Sequence, residues 1–261
     1  MSDSGRRTPL ATVTLAQVRI DPVDMRGALD RIDGFIRDRS PHYNIGINAA
    51  KVVGFQTDST LQEAVRGAHL VTADGQAVVW GIRALGQRIP GRVAGVDLTE
   101  ELLAHAASRD YSVYLLGAKD EIVRTCVAKA SRLYPSLRIA GYRNGYFSRE
   151  EEAGIVSAIR ASRPDILFIG FGSPAKEYFM KRYCRELEVP FVMGVGGTFD
   201  VFAGVVRRAP RWMQHAGLEW AFRLWQEPRR MWRRYLVGNT RFMLLVAEEI
   251  AGKWLRPAGR T

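Results

Sequence analysis

The chain of 261 residues is 47% hydrophobic and 25% charged, the composition of an ordinary globular protein that can bury a sizeable core. Its formal charge of +11 at pH 7 favours a polyanionic partner or surface. The two cysteines, Cys126 and Cys184, stand singly without metal-ligand neighbours, which argues against a disulfide scaffold and predicts buried free thiols in a reducing compartment.

Strand and helix patterns begin soon after a polar start. Residues 1–9 are expected to be flexible, and the first fifteen residues lack the continuous apolar segment of a signal peptide. The patterns that follow are strands over 13–23, a helix over 24–39, a strand leading into a short helix over 42–58, and a helix then a strand over 60–75. No stretch reaches the roughly 18 uninterrupted apolar residues of a spanning helix, so we expect any membrane contact to be peripheral.

The second half of the chain alternates more regularly. A helix is predicted over 96–109, with Asp97 or Thr99 as its N-cap. Strands then fall within 111–118, 138–147, 165–174 and 190–200, and the helices between them within 120–135, 150–164 and 175–187. This order predicts an α/β fold, a Rossmann-like doubly wound and mostly parallel sheet whose ligands bind at the carboxyl ends of the strands.

The alternation stops near residue 206, where the composition changes. The segment 207–261 carries twelve Lys and Arg against four Glu, a net charge of 12 − 4 = +8, and five of the six tryptophans. We therefore predict an α/β catalytic domain over 10–206 and a basic helical appendage over 207–261. Arginines with interfacial indoles suit an anionic membrane surface or a diphosphate, whereas a solvated basic face with core tryptophans is the simpler alternative.

Three glycine loops each follow an apolar strand, at 117–119, 170–174 and 194–200. Glycine lets a backbone approach a phosphate closely and present its N–H groups, although α/β folds also need glycine simply to turn from strand to helix. None of the loops has the P-loop spacing, and none has the G-x-G-x-x-G fingerprint of dinucleotide sites. Three loops at one edge favour a nucleotide or sugar-nucleotide ligand. Because the fingerprint loop is missing, a nicotinamide-dependent oxidoreductase is the weakest alternative.

Two charged residues are candidates for chemistry. Asp74 ends an apolar segment, where a carboxylate could act as general base on an incoming hydroxyl, although Asp-Gly is also a common turn pair. Arg92 could neutralise a diphosphate, or it could form a salt bridge with Asp97. The carboxylates form no D-x-D pair and the histidines are scattered, so we expect no metal and no cofactor.

A series of motifs runs along the chain: TADGQAVVW at 72–80, RVAGVDL at 92–98, YLLGA at 114–118, GYF at 145–147, GFGSPAKE at 170–177, GVGGTFDVFAG at 194–204, RRAP at 207–210, GLEW at 217–220, EPRR at 227–230 and RRY at 233–235. In order and spacing they resemble the WecG/TagA/CpsF family of bacterial glycosyltransferases. The resemblance covers about residues 44–242, and its block from GVGG to RRY is highly specific.

The resemblance implies an inverting, metal-independent enzyme. Such an enzyme moves a sugar of the N-acetylmannosamine, uronic acid or glucose type from UDP to a polyprenyl-diphosphate-linked saccharide, in capsule, exopolysaccharide or wall-polymer synthesis. It implies a peripheral location on the cytoplasmic face of the bacterial membrane, no nucleic-acid partner, and leaves a homo-oligomer open. The alternative from another class is a nucleic-acid-binding protein whose basic tail tracks phosphates while its tryptophans stack on bases.

The resemblance also implies roles for individual residues. Asp74 is the expected base on the acceptor hydroxyl, and Arg92 is expected to meet the diphosphate. Tyr146 and Asp200 fall where the family holds the uridine. The tail arginines are expected to close over the site, namely Arg223, Arg230 and Arg233. The remaining expected substrate-binding residues are Asn48, Gly75, Asp97, Gly117, Gly170, Gly172, Lys176, Glu177, Gly196 and Gly197.

Two positions depart from the family pattern. The family usually has threonine where this chain has Gly46, so a hydroxyl is missing two residues before Asn48. The family favours glutamine where this chain has Lys176. A cation there could pair with a diphosphate or with a carboxylate on the donor sugar, and we therefore expect the donor or acceptor to differ from that of the best-known N-acetylmannosamine transfer.

Overall fold

A computed structural model describes residues 12–255, so the predicted flexible segment 1–9 lies outside the described residues. The strands are β1 Val13–Leu15, β2 Val18–Ile20, β3 His42–Ile47, β4 Leu70–Ala73, β5 Ser112–Gly117, β6 Arg138–Arg143, β7 Ile166–Gly170 and β8 Phe191–Gly194. The α-helices of the first part are α1 Met25–Asp38, α2 Ala49–Phe55, α3 Ser59–Arg66, α4 Gln76–Ala84, α5 Gly95–Ser108, α6 Asp120–Leu133, α7 Glu152–Ser162, α8 Ala175–Leu187 and α9 Thr198–Phe202. A 3₁₀ turn, Arg149–Glu151, precedes α7.

The six strands β3 to β8 form one parallel sheet in the order β4-β3-β8-β7-β5-β6. Because all six strands run the same way, the segments that follow β3, β4, β7 and β8 meet at one edge. Strands β1 and β2 form a separate antiparallel hairpin. The predicted doubly wound α/β fold is therefore confirmed.

Helices cover both faces of the sheet, as a buried parallel sheet requires. Helices α1, α5, α6 and α9 pack on one face, around Phe168 and Phe191. On the other face lie α2, α3, α4, α7 and α8, together with the β1–β2 hairpin, around Ile45 and Ile47. Both cysteines are free and buried as predicted, and burial raises the pKa of Cys126 to about 12 and that of Cys184 to about 11.

Two local predictions differ from the structure. Residues after Asp74 form the helix α4, a stretch for which no element was predicted. Helix α5 begins at Gly95 with Ala94 at its N-cap, so the prediction of Asp97 or Thr99 as N-cap is wrong. Thr99 instead donates its hydroxyl to the carbonyl of Gly95, and Asp97 lies in the first helical turn.

The last part of the described chain is helical. It contains α10 Arg211–His215, α11 Glu219–Gln226, α12 Pro228–Trp232, the π-helical segment Arg233–Val237 and α13 Gly238–Leu255. Helix α13 packs against α2, and Phe242 is buried in the core of the α/β part. Lys253 Nζ donates to the carbonyl of Leu85, and Glu249 accepts from the amide of Ala16. The C-terminal helix is thus attached to the α/β part at several points.

Candidate active site

A cavity of about 300 Å³ opens at the carboxyl ends of β3, β4, β7 and β8. Its lining brings together most of the predicted residues: Asn48, Asp74, Gly75, Arg92, Gly172, Lys176, Gly196, Gly197 and Arg223. The tail contributes several further residues to the same wall: Gly217, Glu219, Trp220, Tyr235 and Asn239. The site is therefore formed jointly by the sheet edge and by the helical tail.

Asp74 lies directly after β4 and lines the cavity. Its Oδ1 accepts the backbone N–H of Gly95 at 2.8 Å, the first residue of α5. The carboxylate is thus held at a helix N-terminus, where free N–H groups and the helix dipole favour a negative charge. Because one oxygen is fixed in this way, the group has a defined orientation beside the cavity.

Gly46 lies beside this carboxylate. A Cβ built on Gly46 would come within 3.0 Å of the Asp74 Cβ and 3.6 Å of the Thr72 hydroxyl. A side chain at this position would therefore need Asp74 to shift by a few tenths of an ångström. Asn48, two residues further on, lines the cavity and also caps α2, since its Oδ1 accepts from the amide of Lys51 at 3.1 Å.

Arg92 forms its ion pair with the tail. Its Nη1 lies 3.0 Å from Glu219 Oε2, and the two side chains are only 15% and 20% exposed. Asp97 pairs instead with Arg208, whose Nη1 lies 2.6 Å from the Asp97 carboxylate, and this hydrogen bond raises the pKa of Arg208. The alternative of an Arg92–Asp97 salt bridge is therefore wrong. Arg92, just before α5, and Asp97, in its first turn, both pair with the tail instead.

The floor of the cavity contains a buried cluster of charges. Lys51 Nζ and Lys176 Nζ lie 2.9 and 2.8 Å from the same oxygen of Glu177, which is fully buried. Ser173 donates its hydroxyl to Glu177 and accepts a hydrogen bond from Lys176. Lys51 also donates to the carbonyl of Gly46. Two ammonium groups therefore share one carboxylate.

This arrangement lowers the pKa of both Lys176 and Glu177, which favours the charged form of the glutamate and the neutral form of the lysine. Burial and the neighbouring Lys51 lower the pKa of Lys176 to about 8, against the opposing attraction of Glu177 and Asp74. Burial alone would raise the pKa of Glu177, but the two lysines outweigh it and lower that pKa to about 2. Glu177 is thus held ionised, whereas the Lys176 ammonium loses its proton at a lower pH than an ordinary lysine does.

The predicted glycines separate into two groups. Gly117 and Gly170 pack backbone against backbone, since a Cβ on Gly117 (φ +139°) would lie 2.6 Å from the Gly170 Cα. A Cβ on Gly170 would lie 2.4 Å from the Phe199 ring, so close packing accounts for both residues. Gly172 and Gly196 instead line the cavity, where Gly172 has open space around it.

The two residues expected at the uridine lie outside the cavity lining. Tyr146 is 71% exposed, on the loop that Gly145 ties to the end of β5 by donating its amide to the carbonyl of Ala118. Asp200 lies in the first turn of α9, with Oδ2 about 3.6 Å from the Cβ position of Gly197. Both residues thus lie near the glycine loops at the rim of the site.

The tail covers one side of the cavity. A Cβ on Gly217 (φ +70°) would lie 2.7 Å from the Trp80 ring, so this close approach requires glycine. Trp220 packs near Tyr235, with ring centroids 5.8 Å apart, and Arg223 lines the same wall. The side chains of Arg230 and Arg233 lie outside the described part of the chain.

Several residues of the site were missed by the sequence reading: Lys51, Ser173, Trp80, Glu219 and Arg208. Glu219 is separated from its partner Arg92 by 127 residues, whereas Ser173 lies close in sequence to its partners Lys176 and Glu177. The motifs GLEW and RRAP were the available signals for Glu219 and Arg208, although nothing in them named a partner.

Across residues 12–255, no helix combines the length and apolar character needed to cross a bilayer. The same residues contain no group of three or more His, Cys, Asp or Glu side chains that could hold a metal ion. A family model described as the glycosyl transferase WecG/TagA/CpsF family matches residues 13–256, nearly the whole chain.

Proposed function

Since the chain belongs to the WecG/TagA/CpsF family of glycosyltransferases, we propose that it transfers a sugar from a UDP donor to a polyprenyl-diphosphate-linked saccharide, with inversion and without a metal ion. The observation that carries the proposal is Asp74, oriented by the Gly95 amide beside a cavity that also contains Arg92. A general base and a cation in one pocket are the two groups that such a displacement requires.

In the proposed mechanism, Asp74 removes the proton from the acceptor hydroxyl as its oxygen attacks the anomeric carbon. The bond from that carbon to the UDP oxygen breaks in the same step, and the proton remains on the aspartate. The fixed Oδ1 supports this role because it leaves the other oxygen in a defined position, and orientation is a large part of general-base efficiency.

The departing UDP develops negative charge on its diphosphate oxygens. We propose that Arg92 and Arg223 stabilise this charge, together with backbone N–H groups of the loops at Gly172 and Gly196. The ion pair to Glu219 supports the role of Arg92, because it holds a flexible side chain beside the cavity before substrate binds. Tyr146 and Asp200 at the rim would then bind the uridine.

We propose that the tail lies on an anionic membrane surface, where it would meet the lipid-linked acceptor. Its tryptophans support this, since Trp212 is 65% exposed and Trp225 is 77% exposed. Exposed indoles beside arginines suit the headgroup region of a membrane, where each basic residue adds about 1 kcal/mol. The proposed location is therefore peripheral, on the inner face of a bacterial cell membrane.

The testing experiment measures UDP release from a panel of UDP-sugars, with membrane lipid-linked acceptors and EDTA, for the wild type and Asp74→Asn. We expect release with one donor in EDTA, reduced about 10²- to 10⁴-fold by the substitution. Asp58→Asn is the matched control, because Asp58 caps α3 away from the cavity lining. Release that requires a divalent cation would refute metal independence, and full activity of Asp74→Asn would refute its role as base.

A further inference from the structure

Part of the cavity wall is aromatic. Trp80 of α4 lines the cavity, as do Trp220 and Tyr235 of the tail. The two indoles are 50% and 40% exposed, although they belong to a concave wall. Large aromatic rings that remain half exposed in a cavity offer a flat apolar surface to a ligand. Neither the proton transfer at Asp74 nor the binding of a diphosphate uses such a surface.

The Trp80 ring is held in place by the tail. A Cβ on Gly217 would lie 2.7 Å from Cη2 and 3.0 Å from Cζ2 of this indole, so the tail backbone packs directly against its six-membered ring. A side chain fixed in this way loses little conformational freedom when a ligand binds to it. Trp220 follows Gly217 in the same segment, and its ring packs near that of Tyr235, with 5.8 Å between the centroids.

The aromatic wall lies at the end of the sheet that carries the proposed base. Strand β4 is an edge strand, Asp74 follows it directly, and Trp80 lies in the second turn of the helix that comes next. Tyr146, expected at the uridine, follows β6 at the opposite edge of the sheet. The loops with Gly172 and Gly196 follow β7 and β8, between these two edges. The wall is therefore separated from the proposed uridine site by the loops that are proposed to bind the diphosphate.

The position of Asp74 determines which part of the substrates reaches this wall. A general base must lie within about 2.6–3.2 Å of the atom whose proton it removes. The acceptor hydroxyl therefore lies beside Asp74, and the sugar ring that carries it lies beside α4. A pyranose ring has apolar C–H faces and a rim of hydroxyls. The indoles suit the faces, whereas the amide side chains of Gln76 and Asn239, which also line the cavity, can donate to and accept from hydroxyls.

We propose that Trp80, together with Trp220, forms the platform on which the sugar of the lipid-linked acceptor stacks. This inference rests on the proposed function. It assigns the β4 side of the cavity to the acceptor and the β7–β8 side to the donor. Because Gly217 fixes the Trp80 ring and Trp220 belongs to the tail, the platform is complete only when the tail is docked against α4.

The test is calorimetric binding to the full-length protein, with UDP at saturating concentration so that the donor side is occupied. The probes are farnesyl methyl diphosphate and the two analogues in which glucose or N-acetylglucosamine replaces the methyl group, so that all three carry the same charge. We expect at least one sugar to tighten binding about 10- to 100-fold, the range that an aromatic anchor in a pocket commonly contributes. Trp80→Ala should abolish this gain and leave the affinity for UDP unchanged. Trp80→Leu, which keeps an apolar side chain against Gly217 but has no aromatic face, should lose most of the gain as well.

Tyr142→Ala is the matched control, since Tyr142 is also a partly exposed aromatic residue but lies outside the cavity lining. It should retain the full gain. No gain from either sugar in the wild type, or an undiminished gain in either Trp80 variant, would overturn the inference and leave the proposed function intact. Weaker binding of UDP by the Trp80 variants would assign the indole to the uridine, and overturn the inference as well. Failure of the wild type to bind UDP would instead refute the proposed function, and the inference with it.

Discussion

Replacing Glu177 with glutamine should strongly destabilise the protein. The side chain is fully buried and contacts the ammonium groups of Lys51 and Lys176 at 2.9 and 2.8 Å. Glutamine preserves the shape and can still accept from Ser173, but it removes the carboxylate that these two lysines share. The substitution therefore tests the charge of the cluster with little change in packing.

The structure gives two routes to the magnitude. Removing one partner of a buried ion pair costs about 3–5 kcal/mol, because an uncompensated charge remains. The pKa of Glu177 falls from its ordinary value of 4.5 to about 2, a difference worth about 3 kcal/mol. Because that pKa is lowered, the stabilisation is fully present above pH 4.5 and is lost as the pH falls towards 2. The two routes agree.

The assay is urea unfolding followed by tryptophan fluorescence at pH 7, with thermal melting as a second measurement. A loss of about 3–5 kcal/mol corresponds to a fall in melting temperature of roughly 6–20 °C for a chain of this size. Glu63→Gln is the control, since Glu63 is 60% exposed in its pair with Lys181 and should cost less than about 1 kcal/mol. Equal losses for the two variants would refute the reasoning.

Three further predictions concern packing, pH and the tail. Gly170→Ala places a methyl group 2.4 Å from a carbon of the Phe199 ring and should lower the free energy of unfolding in urea by about 1–3 kcal/mol. Gly154→Ala, in open space on α7, is the control and should raise that free energy by about 0.5–1 kcal/mol. Because burial lowers the pKa of Lys176 to about 8, the free energy of unfolding of the wild type, measured in urea relative to Lys176→Met, should rise as the pH rises from 8 to 10. Arg208→Ala should speed tryptic cleavage of the tail, because it removes the ion pair from Arg208 to Asp97 of the α/β part. Arg207→Ala is the control, since it leaves that ion pair intact, and equal cleavage rates for the two variants would contradict the prediction.

Much of the fold was predictable because its signals are local. An apolar strand followed by a glycine loop identifies a strand end without any knowledge of its neighbours, as β5, β7 and β8 illustrate. The start of α5 was misjudged because Asp97 has the chemistry of an N-cap, although its carboxylate pairs with Arg208. Helix α4 was missed because it is a short, mostly apolar helix of nine residues soon after β4, and such a run cannot be assigned to a helix by periodicity alone.

The candidate site was predictable where a motif carried it. Asp74 and Arg92 follow from the motifs around them, and the cavity contains both. The partner of Arg92 was not predictable, because an ion pair across 127 residues leaves no pattern in either segment. Lys51 illustrates the difficulty, since a lysine on a short helix next to a capping asparagine is indistinguishable in sequence from a surface lysine.

Two ion pairs of opposite polarity join the tail to the region around the start of α5. Arg92, just before the helix, meets Glu219 of the tail, whereas Asp97, in the first turn of α5, meets Arg208 of the tail. Glu219 of the tail pairs with Arg92, the residue proposed to bind the diphosphate. The tail therefore docks on the site and also orients Arg92 for the substrate. The same contact implies that a bound diphosphate would share Arg92 with Glu219 or displace it, so substrate binding and the position of α11 should be coupled.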